Sequence, residues 1–366
     1  MKRRSFITKT AAAGSLVAAA STLAAPAIAQ GKRDLKMVTS WPKNFPGLGT
    51  AAERIAQRIT EMSDGQLNVK VYAAGELVAA FEAFDAVSQG TADMYHSADY
   101  YWIGKSPAWA FFCAVPFGMT FTEINAWIYH GGGQELWDEL GAQFNIKPFL
   151  AGNTGVQMGG WFNKEINSTE DYKGLKIRMP GLGGEVLREI GAAAVNLPGG
   201  EIAPALQSGA IDATEWVGPW NDQAFGFYKF AKYYYYPGFH EPGTANDLGV
   251  NKDFYESLPK HQQRIVEAAA AMENVYQNAE FNAQNSSSLA TLTGKHNVQL
   301  RKFSPDVLNA IGEASGRVMN RVGNSDPLTA KVYKSFLASR KESIGWSKLS
   351  DQAYWEARLL PFKYGQ

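Results

Sequence analysis

The sequence predicts an α/β fold in two similar lobes, and three observations carry that prediction. From residue 35 onward, apolar segments of strand periodicity alternate with segments of helical periodicity, the pattern of a sheet with crossover helices. The same grammar restarts near Lys147. About 337 residues remain after an expected leader, more than one hydrophobic core usually serves.

In the first unit, LKMVTS over 35–40 reads as the opening strand. Ala51, Ile55, Ile59 and Met62 share one helical face, and Asp64-Gly65 stops that helix. Leu67, Val69 and Val71 alternate with polar residues, so a strand follows and ends at 73–75. Phe81, Phe84, Ala86 and Val87 suit a second helix closed by Gly90, and another strand begins over 92–94. In the second unit, 148–151, VQMGGWF over 156–162, 175–179, 194–197 and 213–217 read as strands, with helices over 185–191 and 201–209. From Leu258 the chain turns helical. Pro259 opens a long helix through roughly Ser287, a strand follows over 298–302, and Ser304-Pro305-Asp306 caps the next helix. The tail beyond Asp326 is an amphipathic helix whose Val332, Phe336, Trp346, Tyr354 and Leu359 supply apolar surface for docking on the body or on a second subunit.

Ahead of this body, Arg3-Arg4 followed by Ser5-Phe6-Ile7 resembles a twin-arginine export signal. An uncharged apolar stretch covers 11–25, and Ala27-Ile28-Ala29 offers a signal peptidase its small-x-small pattern, so residues 1–29 read as a removed leader. That places the mature chain in the periplasm. The full chain carries 35 basic and 35 acidic residues; without the leader's Lys2, Arg3, Arg4 and Lys9 the balance is mildly acidic. Nothing in that charge favours nucleic acid or anionic lipid.

Cys113, the only cysteine, sits in the apolar run AFFCAVPF and reads as a small buried hydrophobe. One cysteine excludes an internal disulfide and iron–sulfur ligation. The five histidines form no HxH, HxxxH or HExxH pattern, which removes support for zinc or copper. Gly181-Leu182-Gly183-Gly184 reads as a loop with the wrong spacing for a dinucleotide fingerprint, and Gly131-Gly132-Gly133 as a helix end. A hard cation held by carboxylate, amide and carbonyl oxygens survives this screen.

Several segments, in order, resemble the solute receptors of tripartite ATP-independent periplasmic (TRAP) transporters. They are Gly75-Glu76-Leu77; FDAV over 84–87 with GTADM over 90–94; KGLKIRMP over 173–180; and ALQSGAIDA over 205–213. A narrower resemblance, to the branch that binds 2-oxo or 2-hydroxy monocarboxylates with a cation, rests on NTGVQMGGW over 153–161, ATEWVGPW over 213–220 and YYYYPG over 233–238. The resemblance implies a hinged two-lobe (Venus-flytrap) fold with crossing strands and a long connecting helix. It also implies membrane permease subunits as partners, a possible homodimer and no enzymatic activity. The lobes are then expected over 30–152 plus about 240–275, and about 153–239 plus 276–340, with a tail over about 341–366.

By the same resemblance Arg178 binds the ligand's carboxylate, a task suited to a guanidinium with parallel donors and a permanent charge. Gln157, Glu215 and the main-chain carbonyl of Trp216 are the implied cation ligands, sodium or calcium by their hard oxygens. Asn153, Tyr101 and Tyr100 are further ligand-contact candidates, and Trp216 and Trp220 candidate apolar walls. His240 stands where an aromatic residue is expected in the strict pyruvate-type pattern; it is a candidate ligand contact, and Glu241 beside it a candidate to complete the ion's shell. Two alternatives stay open: a receptor of the same fold for a larger aromatic or hydrophobic acid or a sugar alcohol, and a periplasmic metal-dependent lyase or hydrolase using His240 with Glu241.

Overall fold

The computed structural model describes residues 31–365; the leader expected over 1–29 lies outside them. The strands, in chain order, are β1 (Arg33–Thr39), β2 (Leu67–Tyr72), β3 (Met94–Ser97), β4 (Ile146–Asn153), β5 (Gly160–Phe162), β6 (Lys176–Arg178), β7 (Ala193–Val195), β8 (Ala213–Thr214), β9 (Tyr233–Tyr236), β10 (Ala245–Asn251) and β11 (Gln299–Lys302). They form two sheets, ordered β2-β1-β3-β10-β4 and β11-β9-β5-β8-β6-β7. The chain therefore passes from the first sheet to the second after β4, returns after β9, and passes again after β10.

The first sheet is mixed: β1 runs parallel to β2 and β3, while β10 is antiparallel to β3 and β4. The apolar residues that alternate in β1 and β2 meet Ile55 and Ile59 of the helix Gly49–Met62 in one core. The strand read at 148–151 as the start of the second unit belongs instead to this first sheet, as part of β4. Its partner β10 was missed, because Asn246, Asp247 and Gly249 are poor strand formers. Tertiary packing overrides that preference. A Cβ at Gly249 would stand 2.1 Å from the ring of Tyr95 on β3, so only glycine admits the ring there.

The segment read as a strand over 156–162 pairs only at Gly160–Phe162; the preceding residues make the crossing. Gly181–Glu189 is a helix from its first glycine, not a loop. Gly184 faces the Met179 carbonyl and Gly183 the Met179 and His240 side chains too closely for any Cβ. Glycines that look like a turn are here a packing requirement.

The helix Lys260–Lys295 has 36 residues, about 54 Å at ~1.5 Å per residue. It packs on β4 and on the short helix Pro219–Phe225 that follows β8, so it touches elements of both sheets. Glu273, fully buried on this helix, pairs with Arg54 (2.6 Å) and Arg58. A Cβ at Gly152 of β4 would lie 2.2 Å from the Gln277 amide oxygen, so glycine sets how closely helix and sheet approach.

The helix Pro327–Ser347 buries Val332 and Phe336 against the body. Beyond Phe336 the large apolar residues are bare: Trp346 is 70% and Leu359 81% exposed, and the helix Asp351–Arg358 buries none of its residues. The tail thus packs its apolar residues on the body through its first half, and Ser347 adds a single hydrogen bond to Glu123 (2.6 Å). Among the described residues no helix is long and apolar enough to cross a membrane.

Candidate ligand and cation site

Arg178 is the last residue of β6, and β8 runs parallel beside it with Arg178 opposite Thr214. This register puts Glu215 one step past the end of β8, and its N–H donates to the Arg178 carbonyl (3.2 Å). Two residues distant in sequence become neighbours at the carboxyl ends of adjacent parallel strands, where α/β sheets generally place ligand sites.

Arg178 and Glu215 are both 0% exposed. An η nitrogen of Arg178 donates to a Glu215 carboxylate oxygen and to the Glu215 carbonyl (3.2 Å). Arg178 Nε donates to the Leu197 carbonyl (3.1 Å), and the second η nitrogen to the Tyr101 hydroxyl (3.3 Å). Its guanidinium also lies 5.0 Å from the centre of the Trp216 ring. Tyr101 reaches in from the segment after β3, so this bond joins the two sheets' elements. Burial opposes the charge on Arg178, but Glu215 and the nearby tyrosines hold its pKa above the ordinary range.

The other Glu215 oxygen lies 3.2 Å from His240 Nε2. Single ligand atoms from Glu215, His240 and Glu241 all lie within 4.8 Å of one another, and all three residues are buried. Burial pushes the Glu215 carboxyl up to about 7 against the pull of Arg178. Glu241 is pushed up to about 7 by burial and then by the Glu215 charge. Burial lowers His240 to about 4, which leaves a neutral imidazole at pH 7.

Gln157, on the crossing between β4 and β5, completes the group. Its Nε2 donates to the hydroxyls of Thr154 (3.1 Å) and Thr244 (2.9 Å). Those hydroxyls give their own protons to the Gly155 carbonyl and the Glu241 carboxylate. They can only accept from Gln157, so the amide orientation is fixed. The Gln157 Oε1 is left buried with no donor. A bare amide oxygen and two buried carboxylates make a donor set suited to sodium or calcium.

A cavity of about 10 Å³ is lined by Trp41, Tyr100, Gln157, Trp216, Thr244 and Asn246, among others. Two larger cavities, about 640 Å³ and 480 Å³, lie elsewhere, beside Phe149 and beside Met319, and neither is lined by a buried charged side chain. Chemistry rather than volume marks the site.

Of the residues singled out from sequence, Arg178, Glu215, Trp216, Tyr101, Gln157, His240 and Glu241 come together here, and Tyr100 lines the cavity. Asn153 spends its side chain on the backbone, accepting from Gly155 N–H (2.8 Å) and donating to the Gly243 carbonyl (3.3 Å), which braces the crossing. Trp220 stands apart, edge-on to Phe281 of the long helix at 5.4 Å. Trp41, Thr154, Thr244 and Asn246 were missed. Trp41 just past β1 could have been found from the rule that sites collect at strand carboxyl ends; the others carry no such signal.

The model of the bacterial extracellular solute-binding proteins, family 7 (DctP), matches residues 37–326. The monocarboxylate 2-oxoacid-binding periplasmic protein of Nostoc sp. is 42% identical over 87% of both chains. A TRAP periplasmic solute-binding protein from Pseudoalteromonas atlantica, solved with sodium and pyruvate, is 42% identical, with a TM-score of 0.87 over 91% of this chain and 100% of that one. One from Bordetella bronchiseptica, a dimer with calcium and picolinate, is 34% identical, with a TM-score of 0.88 over 90% of this chain and 97% of that one. The described fold, two α/β sheets bridged by crossing strands and a long helix, matches these structures along nearly their whole length. This chain belongs to the family 7 (DctP) solute-binding proteins, the non-enzymatic periplasmic receptors that serve TRAP membrane permeases.

Proposed function

We propose that this receptor captures a small 2-oxo or 2-hydroxy monocarboxylate together with one sodium or calcium ion and delivers the carboxylate to its permease. The observation that carries the reading is a fully buried guanidinium, Arg178, set against an oxygen-rich donor group where the two sheets meet. Arg178 takes the ligand's carboxylate. Gln157, Glu215, Glu241 and the Trp216 carbonyl hold the cation, which supplies positive charge to a ligand oxygen next to the carboxylate. Tyr100, Tyr101, Trp216 and His240 shape and exclude water from the ligand's remaining surface; Asn153 holds the crossing segment in place.

The relatives' ligands support this chemistry. Pyruvate and picolinate both carry a lone-pair donor one carbon from the carboxylate, so each can chelate an ion. The moving bodies in this proposal are residues 30–152 plus about 240–275, and about 153–239 plus 276–340. A ligand that touches both favours the closed form by its differential affinity. A thermal-shift comparison of pyruvate, lactate, picolinate and propionate, each with and without calcium, tests the reading. The first three should raise Tm with calcium and propionate should not, since bound ligand stabilises in proportion to occupancy. No shift with any acid in any salt would refute it.

The bare half of the tail, from about residue 341, is proposed as a homodimer contact. Its Trp346, Leu349, Tyr354 and Leu359 are all exposed, and the Bordetella relative is a dimer.

A further inference from the structure

We infer that Phe45 is a latch: it holds the two moving bodies together by contacts of the chain's own, and so sets how long a bound ligand stays without touching that ligand. The inference rests on the two-body reading above; the ligand reading supplies only the probe. Phe45 lies in WPKNFPGL over 41–48, between β1 and the helix Gly49–Met62, on the first sheet's side. Its ring stacks on Phe225 (centroids 4.2 Å apart, planes at 25°) and meets Trp216 edge-on (6.3 Å). Both partners come from the other side, beyond the end of β8. A glycine makes room for the slot they form: a Cβ at Gly199 would stand 2.7 Å from the Trp216 ring and 2.9 Å from that of Phe225. Seated there, Phe45 is buried. The next residues repeat the crossing. The buried Asn221 side-chain amide donates to the Pro46 carbonyl (3.0 Å), and a Cβ at Gly47 would stand 2.8 Å from the Trp220 ring. Trp220, set apart from the cavity, thus has its place in the latch.

The segment that carries Phe45 is preorganised. Pro42 and Pro46 fix their own φ angles, and Asn44 and Gly47 turn the chain through the left-handed region (φ 55° and 71°). The N–H groups of Phe45 and Leu48 donate to the Pro42 and Pro46 carbonyls (3.1 and 2.8 Å). Little freedom is left to lose when the ring seats. The slot is tied to the ligand site: Trp216 follows Glu215 in the chain, and its ring lies 5.0 Å from the Arg178 guanidinium. Phe45 itself does not line the cavity. A contact made only when the bodies meet favours the closed form by its own free energy. It must break before a ligand leaves but need not form before one enters, so it acts on release rather than on capture.

Release of radiolabelled pyruvate from the full chain in saturating calcium, chased with unlabelled pyruvate, tests this. Phe45→Ala should release about tenfold faster, the scale of a lost aromatic pair and its burial, with an association rate within about threefold of wild type. Phe45→Leu keeps apolar bulk without the stacked ring. It should release about threefold faster, and it carries the test if the alanine variant fails to fold. In a Phe225→Ala background, Phe45→Ala should add less than about threefold, because the two rings share one contact. An unchanged release rate, or effects that multiply in full, would overturn the latch while leaving the ligand reading intact. If wild type binds no pyruvate, the ligand reading fails and small-angle scattering of the free chain decides the latch. Phe45→Ala should then show a larger radius of gyration than wild type at the same oligomeric state, and equal radii would overturn it.

Discussion

Two pairs of buried acids lie close to the same cavity, and the chain treats them differently. Glu215 and Glu241 sit where the sheets meet, beside Arg178. Asp99 and Asp247 sit within the first sheet's elements; Tyr100 and Asn246, their chain neighbours, line the cavity. Asp99 accepts from the Trp137 indole (2.7 Å), but its other oxygen and both oxygens of Asp247 have no donor. No Lys, Arg or His contributes to their titration; the groups facing them are each other, Tyr95 and Trp137. Burial and mutual repulsion push Asp99 well above the carboxylate range, and burial pushes Asp247 up to about 7. A proton held between the two carboxyls satisfies that pair. One pair is therefore completed by a fixed guanidinium, which on the proposed reading a ligand takes over, and the other by a shared proton. Burial of acids alone does not make a site; on the proposed reading the partner that a ligand can replace does.

Variants at the guanidinium break this comparison most severely. Arg178→Ala should reduce pyruvate affinity by more than 100-fold by calorimetry, with an unchanged far-ultraviolet circular dichroism spectrum; retained affinity would show that the guanidinium is not the ligand's partner. Glu215→Gln comes next. Its melting temperature in pyruvate should not respond when calcium is chelated, whereas that of the wild type falls by several degrees; a preserved response would place the cation elsewhere.

The proton-held pair gives a smaller effect of opposite character. Its carboxyls bind protons more tightly folded than unfolded, since Asp247 moves from 3.8 to about 7. The folded state therefore holds more protons between these values, and stability falls as pH rises from about 4 through about 7. Asp247→Asn should flatten that fall by roughly 2–4 kcal/mol at most, measured by urea denaturation at pH 5 and pH 8. An unchanged pH dependence would mean the pair shares no proton. Deleting the tail beyond about residue 340 should matter least for binding, and should lower the sedimentation coefficient to that of a monomer. An unchanged profile would remove the tail from any dimer contact.

How much of this was legible in the sequence depends on what each residue had to advertise. β2 announces itself through the alternation of Leu67, Val69 and Val71, β1 through a short apolar run, and the helix Pro305–Gly323 through its Ser304 cap and Pro305. β10 is silent, because in Ala-Asn-Asp-Leu-Gly-Val-Asn only Leu248 and Val250 alternate, too short an apolar pattern to stand out among poor strand formers. Missing it also misassigned β4, whose apolar run fits either sheet. Arg178 and Glu215 were visible from their motifs, but their pairing follows from the register of β6 with β8, a tertiary fact. Thr154 and Thr244, which turn the Gln157 amide, are threonines like any others until the crossings bring them together. Trp220 carried the same motif weight as Trp216, yet packs on the long helix; indole size rewards any apolar neighbour.

The central claim is that ligand and cation each take over one partner of the Arg178–Glu215 pair. Diffraction from crystals grown with pyruvate and calcium, with the ion located by its anomalous signal, tests this most directly. The account predicts Arg178 on the ligand carboxylate and Glu215 on calcium, no longer in contact with each other. Pyruvate bound with Arg178 still paired to Glu215 would contradict it.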